Sequence, residues 1–362
     1  PNLANIPTYA WQNSLVGGKI FGIPIARAIT GNGMLYRDDW MKAAGLSQPK
    51  NSDDFFNLMK AFTDAKNQRW GMASSNDSTF NMSFFMQMFN APNGWRRESN
   101  GTLTNQVEAP EFPAAVAFMN KIYAAGYTYP DTANLNIQQA KAFFAAGKFG
   151  CYWDGITASP QMWYDFNVAD PKATFSLMAP VAANGGKPTY FFSSGYYGYT
   201  AVSQKALPRI KEMLNLLDYG SAPLGSDEWR FLSFGIQGRD WNPGPGGIPV
   251  QTKTGQADGG NLMNYAGSPP FTFFDSAFSQ PTQIEWDFCK ACVPLGIYDP
   301  TLGLYSATNA AKAASLSKLI ADRVIAMVTG RSPLSEVKTL VSDWKSQGGD
   351  QIRKEYAAAL GT

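Results

Sequence analysis

The stretch Ile20–Leu46, IFGIPIARAITGNGMLYRDDWMKAAGL, decides how the rest of the chain is interpreted. Its first part, IFGIPIA, is apolar and β-branched, and it runs into the turn-forming cluster TGNG at residues 30–33. This order predicts a strand followed by a turn. The next residues, GMLY, predict a second short strand.

A helix is predicted directly after this second strand. Asp38 and Asp39 suit its first turn, because acidic side chains complement the positive end of the helix dipole, and Gly45 suits its end. The order of strand, turn, strand and helix is typical of an α/β protein. We expect the segment to cross between two lobes, with Arg27 facing a ligand at the crossing.

Length and composition favour two α/β lobes and a partner that carries no strong charge. The 362 residues exceed one ordinary core. The 30 Lys and Arg against 28 Asp and Glu give a formal charge of +2, so no field attracts nucleic acid or an anionic membrane. Charged residues make up 16% of the chain, where about 25% is typical, and aromatic residues reach 14%. We therefore expect no nucleic-acid partner.

Histidine and cysteine usage weakens catalytic and metal-binding hypotheses. The chain has no His, the commonest acid/base residue and metal ligand. Cys289 and Cys292 form a single CxxC without the second pair that a zinc site needs. We expect both to be buried as small apolar residues, with a local disulfide or a redox role as the alternatives. No metal and no cofactor are expected.

The sequence pattern predicts no membrane span, and none of the features of a leader peptide is expected in its first residues. No run of 18 or more apolar residues occurs. The chain begins at Pro1, and the charged segment and the apolar segment of a leader peptide do not follow it. We expect an N-terminal segment to have been removed.

A polar break after one predicted strand marks a ligand-binding edge. The amphipathic pattern predicts helices over residues 111–125 and 137–146, and Phe149–Trp153 then predicts a strand that stops at Asp154 and Gly155. Open α/β sheets bind ligands at the carboxyl ends of their strands. The side chains at this break are therefore candidates for a site.

Five passages, spread in order over nearly the whole chain, together resemble one protein family. They are GKIFGIPIA…MLYRDDWMKAAGL with the following SQPKNSDDFFNLMKAF, then FPAAVAFMNKIYAAGYTYPD, QAKAFFAAGKFGCYWDG, GIQGRDW and VTGRSPLSEVKTLVSDWKSQGGDQIRKEY. Each is weak alone. In this order they are similar to the extracellular solute-binding proteins of ABC sugar importers, a maltose-binding-protein-like family. Within that family they most resemble the longer lipoprotein-type members.

The resemblance implies a fold and a set of partners. The fold is α/β and two-lobed, of the type II periplasmic-binding-protein-like class, with each lobe a sheet flanked by helices and the ligand cleft between lobes. Residues 1–29 and about 196–305 would form the N-terminal lobe, and about 30–195 and 306–362 the C-terminal lobe and closing helices. Such a protein captures an oligosaccharide or other sugar by hinge closure and delivers it to an ABC transporter transmembrane permease, in the periplasm or lipid-anchored at the extracellular face of the membrane.

The resemblance also exposes a departure at the start of the chain. Family members begin with a signal sequence, often a lipid-modified Cys, and a first βαβ region before the strand that begins here near Ile20. That region does not precede Ile20 in this sequence. We therefore expect the N-terminal lobe to be incomplete, with an unpaired sheet edge or exposed core. Membrane association would come only through the missing N-terminal lipid anchor.

Candidate ligand-binding residues follow from the chemistry of sugar recognition. Aromatic faces pack on the C–H side of a sugar ring, while planar polar side chains bridge neighbouring hydroxyls. Trp40 and Trp344 fall on apolar helix faces and are expected in the core. The predicted ligand-binding residues are aromatic or polar and lie at strand ends, turns and loops: Arg27, Asn32, Trp95, Trp153, Asp154, Trp163, Tyr196, Tyr197 and Trp241.

Two of these predictions depend on local geometry. Tyr196 and Tyr197 are neighbours on a predicted strand, so one is expected to face the ligand and the other the core. Trp241 lies in the Gly/Pro-rich segment GIQGRDWNPGPGGIPVQT, where regular structure and burial are hard to arrange.

Two other function classes stay open. A solute-binding protein for a peptide would need charged rather than aromatic cleft residues. A carbohydrate-active enzyme would need two carboxyls held across a glycosidic bond, but the paired acidic residues all look like helix starts. Because no GxSxG, Walker A, GxGxxG or HExxH motif occurs either, we expect no enzyme and no catalytic residue.

Overall fold

The computed structural model describes residues 1–258, 262–274 and 279–361. By its contacts the chain divides into two compact units. Unit 1 consists of Pro1–Gly31, Ser193–Gln283 and Leu302–Leu304, and unit 2 of Asn32–Phe192, Ile284–Thr301 and Tyr305–Thr362.

The strands are short and, in chain order, are β1 (Ile23–Ala26), β2 (Asn32–Arg37), β3 (Trp70–Ala73), β4 (Trp95–Arg97), β5 (Leu103–Asn105), β6 (Phe149–Gly155), β7 (Phe175–Leu177), β8 (Tyr190–Phe191), β9 (Tyr196–Thr200), β10 (Trp241–Pro243), β11 (Pro249–Gln251) and β12 (Gly296–Ile297).

The α-helices are, in the same order, α1 (Thr8–Asn13), α2 (Asp38–Ala43), α3 (Ser52–Phe62), α4 (Met82–Met88), α5 (Glu111–Ala124), α6 (Ile137–Ala145), α7 (Ser159–Ala169), α8 (Ile210–Gly220), α9 (Asp227–Phe234), α10 (Lys253–Asp258), α11 (Ser279–Cys292), α12 (Ala307–Val328), α13 (Val337–Trp344) and α14 (Asp350–Leu360). Among the described residues, no helix is both long enough and apolar enough to cross a lipid bilayer.

Unit 2 is organised around a four-stranded sheet in the order β3-β6-β2-β7. β3 runs parallel to β6, whereas β2 is antiparallel to both β6 and β7. Gly150 allows α3 to approach β6, because a Cβ at that position would lie 2.1 Å from the ring of Phe62. The two strands predicted from the opening stretch are β1 and β2, and they lie in different units.

Aromatic and methionine side chains fill the core of unit 2. α3 buries the predicted face, Phe55, Leu58, Met59 and Phe62, and begins at Asn51, whose side chain accepts a hydrogen bond from the backbone N–H of Asp54. The ring of Phe55 lies 5.2 Å from that of Phe84. The amphipathic pattern of this helix therefore predicted its buried face correctly.

The last part of α11 belongs to unit 2, although residues 196–305 were expected together in the N-terminal lobe. Phe288 packs its ring 5.7 Å from that of Tyr190. β12 pairs in parallel with β8. These contacts join distant parts of the chain, so the local pattern could not indicate them.

α12 begins at Ala307 and is capped by Ser306, which accepts a hydrogen bond from the N–H of Asn309. The carboxylate of Glu355 accepts hydrogen bonds from the backbone N–H and, at 2.7 Å, the hydroxyl of Thr308. The first residues of this helix, ATNAAK, are Ala-rich and lack an apolar stripe, so periodicity alone does not indicate where the helix begins.

Unit 1 has a smaller core. The antiparallel pair β1 and β9 lies over a cluster of buried side chains contributed by the segment before α1 and by α1, β1 and α8: Ile6, Ala10, Ile23, Ala26 and Leu217. α8 has the predicted amphipathic pattern, yet it buries only Leu217 and Gly220. Leu207, Leu214 and Leu216 are exposed.

The Gly/Pro-rich segment of unit 1 is more regular than its sequence suggested. β10 and β11 form an antiparallel hairpin in which Trp241 pairs with Gln251. Gly246 and Gly247, at φ 68° and 77°, supply the left-handed conformations of the turn. The regular stretches are only three residues long, but Trp241 lies in one of them rather than in the expected loop.

Candidate functional site

A pocket lies in unit 2 at the edge of the sheet where β3 and β6 end. β2 begins at the same edge, because Asn32 pairs with Gly155 in the register of β2 and β6. The cavity volume is about 320 Å³, within the range of small-molecule sites. We call it the sheet-edge pocket, and its lining is Asn32, Ser75, Asp77, Ser78, Thr79, Met82, Ser83, Ile137, Tyr152, Trp153, Asp154 and Gly155.

Trp153 contributes the aromatic surface of this pocket. It lies on β6 opposite Met34 of β2 and is partly buried. Its ring packs 5.6 Å from the ring of Phe84, at an interplanar angle of 51°. Phe84 is itself buried in the core, so the indole is supported from one side and lines the cavity. Such a fixed, amphipathic ring suits the apolar face of a sugar.

Asp154 is held in place from two directions. Its Oδ1 accepts a hydrogen bond from the N–H of Gly155 at 2.7 Å. Its Oδ2 lies 3.1 Å from Nζ of Lys141 on α6, which is close enough for an ion pair. The geometry of this contact is not that of a hydrogen bond. Oδ2 thus retains acceptor capacity beside a cation.

Tyr152 supplies a polar group at the buried end of the pocket. Burial, and secondarily the nearby carboxylate of Asp154, raise the pKa of its phenol well above the ordinary value of 10. The phenol therefore stays protonated near neutral pH, and it hydrogen-bonds the side chain of Ser75. This pair gives the pocket both a donor and an acceptor.

The loop that follows β3 forms one wall and is conformationally strained. Thr79, Phe80 and Asn81 have φ values of 47°, 57° and 59°, which are unusual for residues other than glycine. The side-chain amide of Asn81 donates to the carbonyl of Ala73 at 2.9 Å, and the hydroxyl of Ser78 donates to the carbonyl of Ser75 at 3.0 Å. These hydrogen bonds stabilise the strained turn. Backbone strain of this kind is common in ligand-binding loops.

Sequence reasoning identified Asn32, Trp153 and Asp154 of this pocket and missed the rest. Ser75, Asp77 and Ser78 belong to a polar run directly after β3. The strand-end argument applied to β6 would have found them if it had also been applied to β3. Lys141 lay on a predicted helix, and no local signal pointed to its pairing with Asp154.

Unit 1 contains a second group, which we call the Arg27 surface and define as Arg27, Tyr197, Tyr265 and Ser268. Arg27 and Tyr197 were predicted from the sequence, and Tyr265 and Ser268 were not. The guanidinium carbon of Arg27 lies 5.5 Å from the ring centroid of Tyr197. Nη1 donates to the carbonyl of Ala26 at 2.9 Å and to the hydroxyl of Ser268 at 3.4 Å. Tyr197 and Tyr265 are each 69% exposed, and their rings lie 6.2 Å apart.

The charge of Arg27 is partly removed from water. Desolvation lowers its pKa, and the nearby phenols of Tyr265 and Tyr197 act in the opposite direction. Because the ordinary pKa of Arg exceeds 12, the group stays cationic. A partly desolvated guanidinium between exposed phenols suits the binding of polar or anionic groups.

Tyr196 and Tyr197 face opposite ways on β9, as the alternation of a strand requires. Tyr196 packs against the core cluster of unit 1. Tyr197 is exposed on the Arg27 surface. Of the pair, Tyr197 is therefore the residue that remains a candidate for ligand contact.

Three predicted tryptophans lie outside both groups. Trp241 is 5% exposed, and its Nε1 donates to the carbonyl of Gly235 at 3.1 Å. The argument that burial is hard to arrange there is wrong, because the β10–β11 hairpin and this hydrogen bond accommodate the indole. Trp163 is partly buried on α7, with its ring 5.6 Å from that of Phe175.

Trp95 begins β4, which pairs antiparallel with β5. Although it was predicted to contact ligand, Trp95 is 7% exposed and its ring lies 5.8 Å from Trp344 and 5.9 Å from Tyr356. α13 and α14 cover this indole. Trp344 is buried, as predicted from its helix face.

The cysteines and acidic side chains were compared with the requirements of a metal site. Cys289 and Cys292 are buried, as expected, and burial raises the pKa of the Cys292 thiol. Across residues 1–258, 262–274 and 279–361, no group of three or more His, Cys, Asp or Glu side chains is arranged to hold a metal ion.

Known proteins share both sequence and fold with this chain. A relative from Bacillus subtilis (strain 168), the polygalacturonan/rhamnogalacturonan-binding protein YtcQ, is 24% identical over 381 residues, covering 99% of this chain and 74% of the relative. Lipoprotein LipO of the same organism is 24% identical over 373 residues, with coverages of 98% and 74%.

The fold matches that of a solved binding protein. The crystal structure of the alginate-binding protein AlgQ2 without calcium ion superposes with a TM-score of 0.72 at 15% identity, covering 98% of this chain and 77% of that one. This likeness confirms the predicted type II periplasmic-binding-protein-like fold. Residues 3–216 match the family described as bacterial extracellular solute-binding protein. Since the match spans more than half of the chain, this protein belongs to the family of bacterial extracellular solute-binding proteins.

Proposed function

We propose that this protein is the substrate-binding component of an ABC importer and that it captures an oligosaccharide or another sugar. The observation that carries the proposal is the sheet-edge pocket, where one supported indole lies among hydroxyl, amide and carboxylate groups. Delivery to a transmembrane permease follows from the family. Capture by hinge closure, implied by the resemblance, stays a prediction.

The chemistry of the pocket supports a polyhydroxylated ligand. Trp153 offers an apolar face, while Asn32 and the serine hydroxyls both donate and accept. Asp77 and Asp154 accept hydrogen bonds from hydroxyl groups, and charge-assisted bonds are the stronger kind. A sugar ring has one face of C–H groups and an edge of hydroxyls, so each type of side chain finds a partner.

The relatives support the same ligand class. YtcQ is named for polygalacturonan and rhamnogalacturonan, and AlgQ2 for alginate. Both ligands are polysaccharides. We extend to this chain only the broad class, a sugar or oligosaccharide, and we propose that the protein binds it without chemical conversion.

Location and further contacts are proposed on the same basis. The protein would act at the extracellular face of the membrane, lipid-anchored as the name of LipO indicates for that relative, or in the periplasm. In unit 1 we propose Arg27 and Tyr197 as additional ligand contacts. The two-lobe assignment, with unit 1 as the N-terminal lobe and unit 2 as the C-terminal lobe, is likewise a proposal.

The test is a titration of the full chain with neutral and acidic oligosaccharides. Tryptophan fluorescence and calorimetry measure binding during the titration. Trp153→Ala should lower the affinity for the tightest-binding sugar by about 10- to 100-fold, because burying one large apolar side chain is worth about 1.5 to 3 kcal/mol. Trp286→Ala is the matched control, since Trp286 is 47% exposed on α11 and does not line the pocket.

Two outcomes would count against the proposal. Absence of binding to every sugar of the panel would remove the function itself. Equal affinities of Trp153→Ala and Trp286→Ala, both close to the unmodified protein, would remove the sheet-edge pocket as its site.

A further inference from the structure

The charges of the sheet-edge pocket are unevenly distributed. The charged side chains in its lining are Asp77 and Asp154, and both are carboxylates. Within the described part of the chain, the cation that pairs with one of these carboxylates is Lys141, whose Nζ lies 3.1 Å from Oδ2 of Asp154. Lys141 therefore compensates Asp154, and the exposed Asp77 leaves the pocket with an excess of negative charge.

The uncharged polar groups of the pocket do not offset this excess. Asn32, Ser78, Thr79 and Ser83 present amide and hydroxyl groups, which exchange hydrogen bonds but carry no charge. The phenol of Tyr152 also stays neutral, and the carboxylates of Asp154 and Asp77 both raise its pKa. Asp77 and Asp154 line the same pocket, so both carboxylates face a ligand that enters it.

A sugar hydroxyl and a sugar carboxylate meet this pocket differently. A hydroxyl donates a hydrogen bond to Asp77 or Asp154. A uronate carboxylate has no proton to donate and brings a second negative charge. Two like charges at about 4 Å in a water-like medium already cost about a fivefold loss of affinity, and the lost donor adds to this cost.

We propose that the sheet-edge pocket selects an uncharged sugar unit and discriminates against uronates. The inference rests on the proposed function and specifies the substrate class of the same site. The proposed ligand unit is uncharged, unlike the acidic polysaccharides in the names of YtcQ and AlgQ2. Binding of a uronate in this pocket would therefore contradict the inference. Asp77 is the residue that sets the preference, and Lys141 limits it.

The experiment compares two forms of one ligand. The tightest neutral oligosaccharide of the panel is oxidised at one C6 hydroxyl to the uronate, and both forms are titrated at low salt into the full chain. We expect the neutral form to bind at least fivefold tighter. Added salt should shrink this ratio, because Asp77 is exposed and its field is screened.

Variants with opposite expected effects make the test specific. Asp77→Asn should reduce the ratio to within about twofold, and since the side chain is exposed, the fold should tolerate the change. Lys141→Gln should increase the ratio, because it leaves the charge of Asp154 uncompensated. Asp322→Asn on α12, an exposed carboxylate that does not line the pocket, is the control and should leave the ratio unchanged.

The failure of this inference is distinct from that of the proposed function. Tighter or equal binding of the uronate, a uronate as the tightest ligand of the panel, or a ratio insensitive to Asp77→Asn would overturn the charge selection while leaving sugar binding intact. No binding to any sugar would overturn the proposed function and the inference with it.

Discussion

The sheet-edge pocket and the Arg27 surface both carry residues predicted to bind ligand, but they are built in different ways. The pocket lies at the end of a four-stranded sheet, and its indole is backed by the aromatic core of unit 2. The Arg27 surface lies on a two-stranded sheet over a small cluster, with two tyrosines largely exposed. The pocket carries carboxylates, whereas the surface carries a guanidinium.

This difference has consequences for how each group depends on its unit. Residues of the pocket are positioned by buried neighbours, so a change beneath them alters stability and binding together. Residues of the Arg27 surface are positioned by strand alternation and by contacts among themselves. A substitution there should change binding with little effect on folding.

The largest expected effect comes from removing the support beneath the pocket. Phe84→Ala empties a buried site whose ring contacts Phe55 and Trp153. Large-to-small changes of a buried Phe cost about 3 to 5 kcal/mol. The urea midpoint for unit 2, measured by circular dichroism, should fall markedly.

Tyr197→Ala on the Arg27 surface is the matched aromatic change. Because this ring is exposed, stability should change by less than about 0.5 kcal/mol. Similar urea midpoints for Phe84→Ala and Tyr197→Ala would break the distinction between a core-supported pocket and an exposed surface.

A smaller effect is expected from the cation of unit 1. Arg27→Gln should lower the affinity for the tightest-binding oligosaccharide by about five- to tenfold. A hydrogen bond from a charged donor is worth about 1 to 1.5 kcal/mol at a partly exposed position. Arg27→Lys should recover only part of the affinity, because an ammonium lacks the planar fork and stacks less well on Tyr197. Calorimetry measures both.

Arg209→Gln is the control for this experiment. Arg209 is exposed and pairs with Glu212 within three residues, outside the Arg27 surface. If Arg27→Gln and Arg209→Gln bind sugar equally well, the Arg27 surface takes no part in binding.

The smallest expected effect concerns acid stability of unit 2. Hydrogen bonds from Ser306, Gln351 and Thr308 lower the pKa of Glu355 to about 2, from an ordinary value of 4.5. A lowered folded-state pKa contributes stability that is complete above the unfolded-state value and is lost as pH falls through the folded-state value.

The corresponding measurement is a comparison of melting temperatures. Glu355→Gln should be less stable than the unmodified chain at pH 6, and this difference should shrink between about pH 4.5 and pH 2. A constant difference over that interval would show that the carboxylate charge does not contribute.

Local sequence patterns identified most elements and part of the candidate site. Helices α5 and α6 and the break after β6 could be predicted because helix and strand periodicities are properties of neighbouring residues. The same patterns found Trp153 and Asp154, which adjoin each other at a strand end. They also indicated that Tyr196 and Tyr197 point in opposite directions.

Burial of individual tryptophans could not be predicted in the same way. Trp95 and Trp241 lie in turn-rich sequence, where exposure is a reasonable expectation. Trp95 is covered by α13 and α14, which follow it by more than 200 residues, and Trp241 by a hairpin that brings Gln251 beside it. Whether such a ring is buried depends on long-range packing, which carries no local signature.

The sequence by itself determined the α/β class and indicated a candidate ligand-binding edge after β6, because periodicity and strand-end chemistry are encoded locally. The family was indicated by the order of five motifs along the chain. Only the tertiary structure decided that Ser75, Asp77 and Tyr152 join Trp153 in one pocket and that Lys141 compensates Asp154 rather than Asp77. The reason is physical: pairing of β3, β6 and β2 brings together residues separated by up to about 120 positions, and the balance of charge at that edge exists only after they pair.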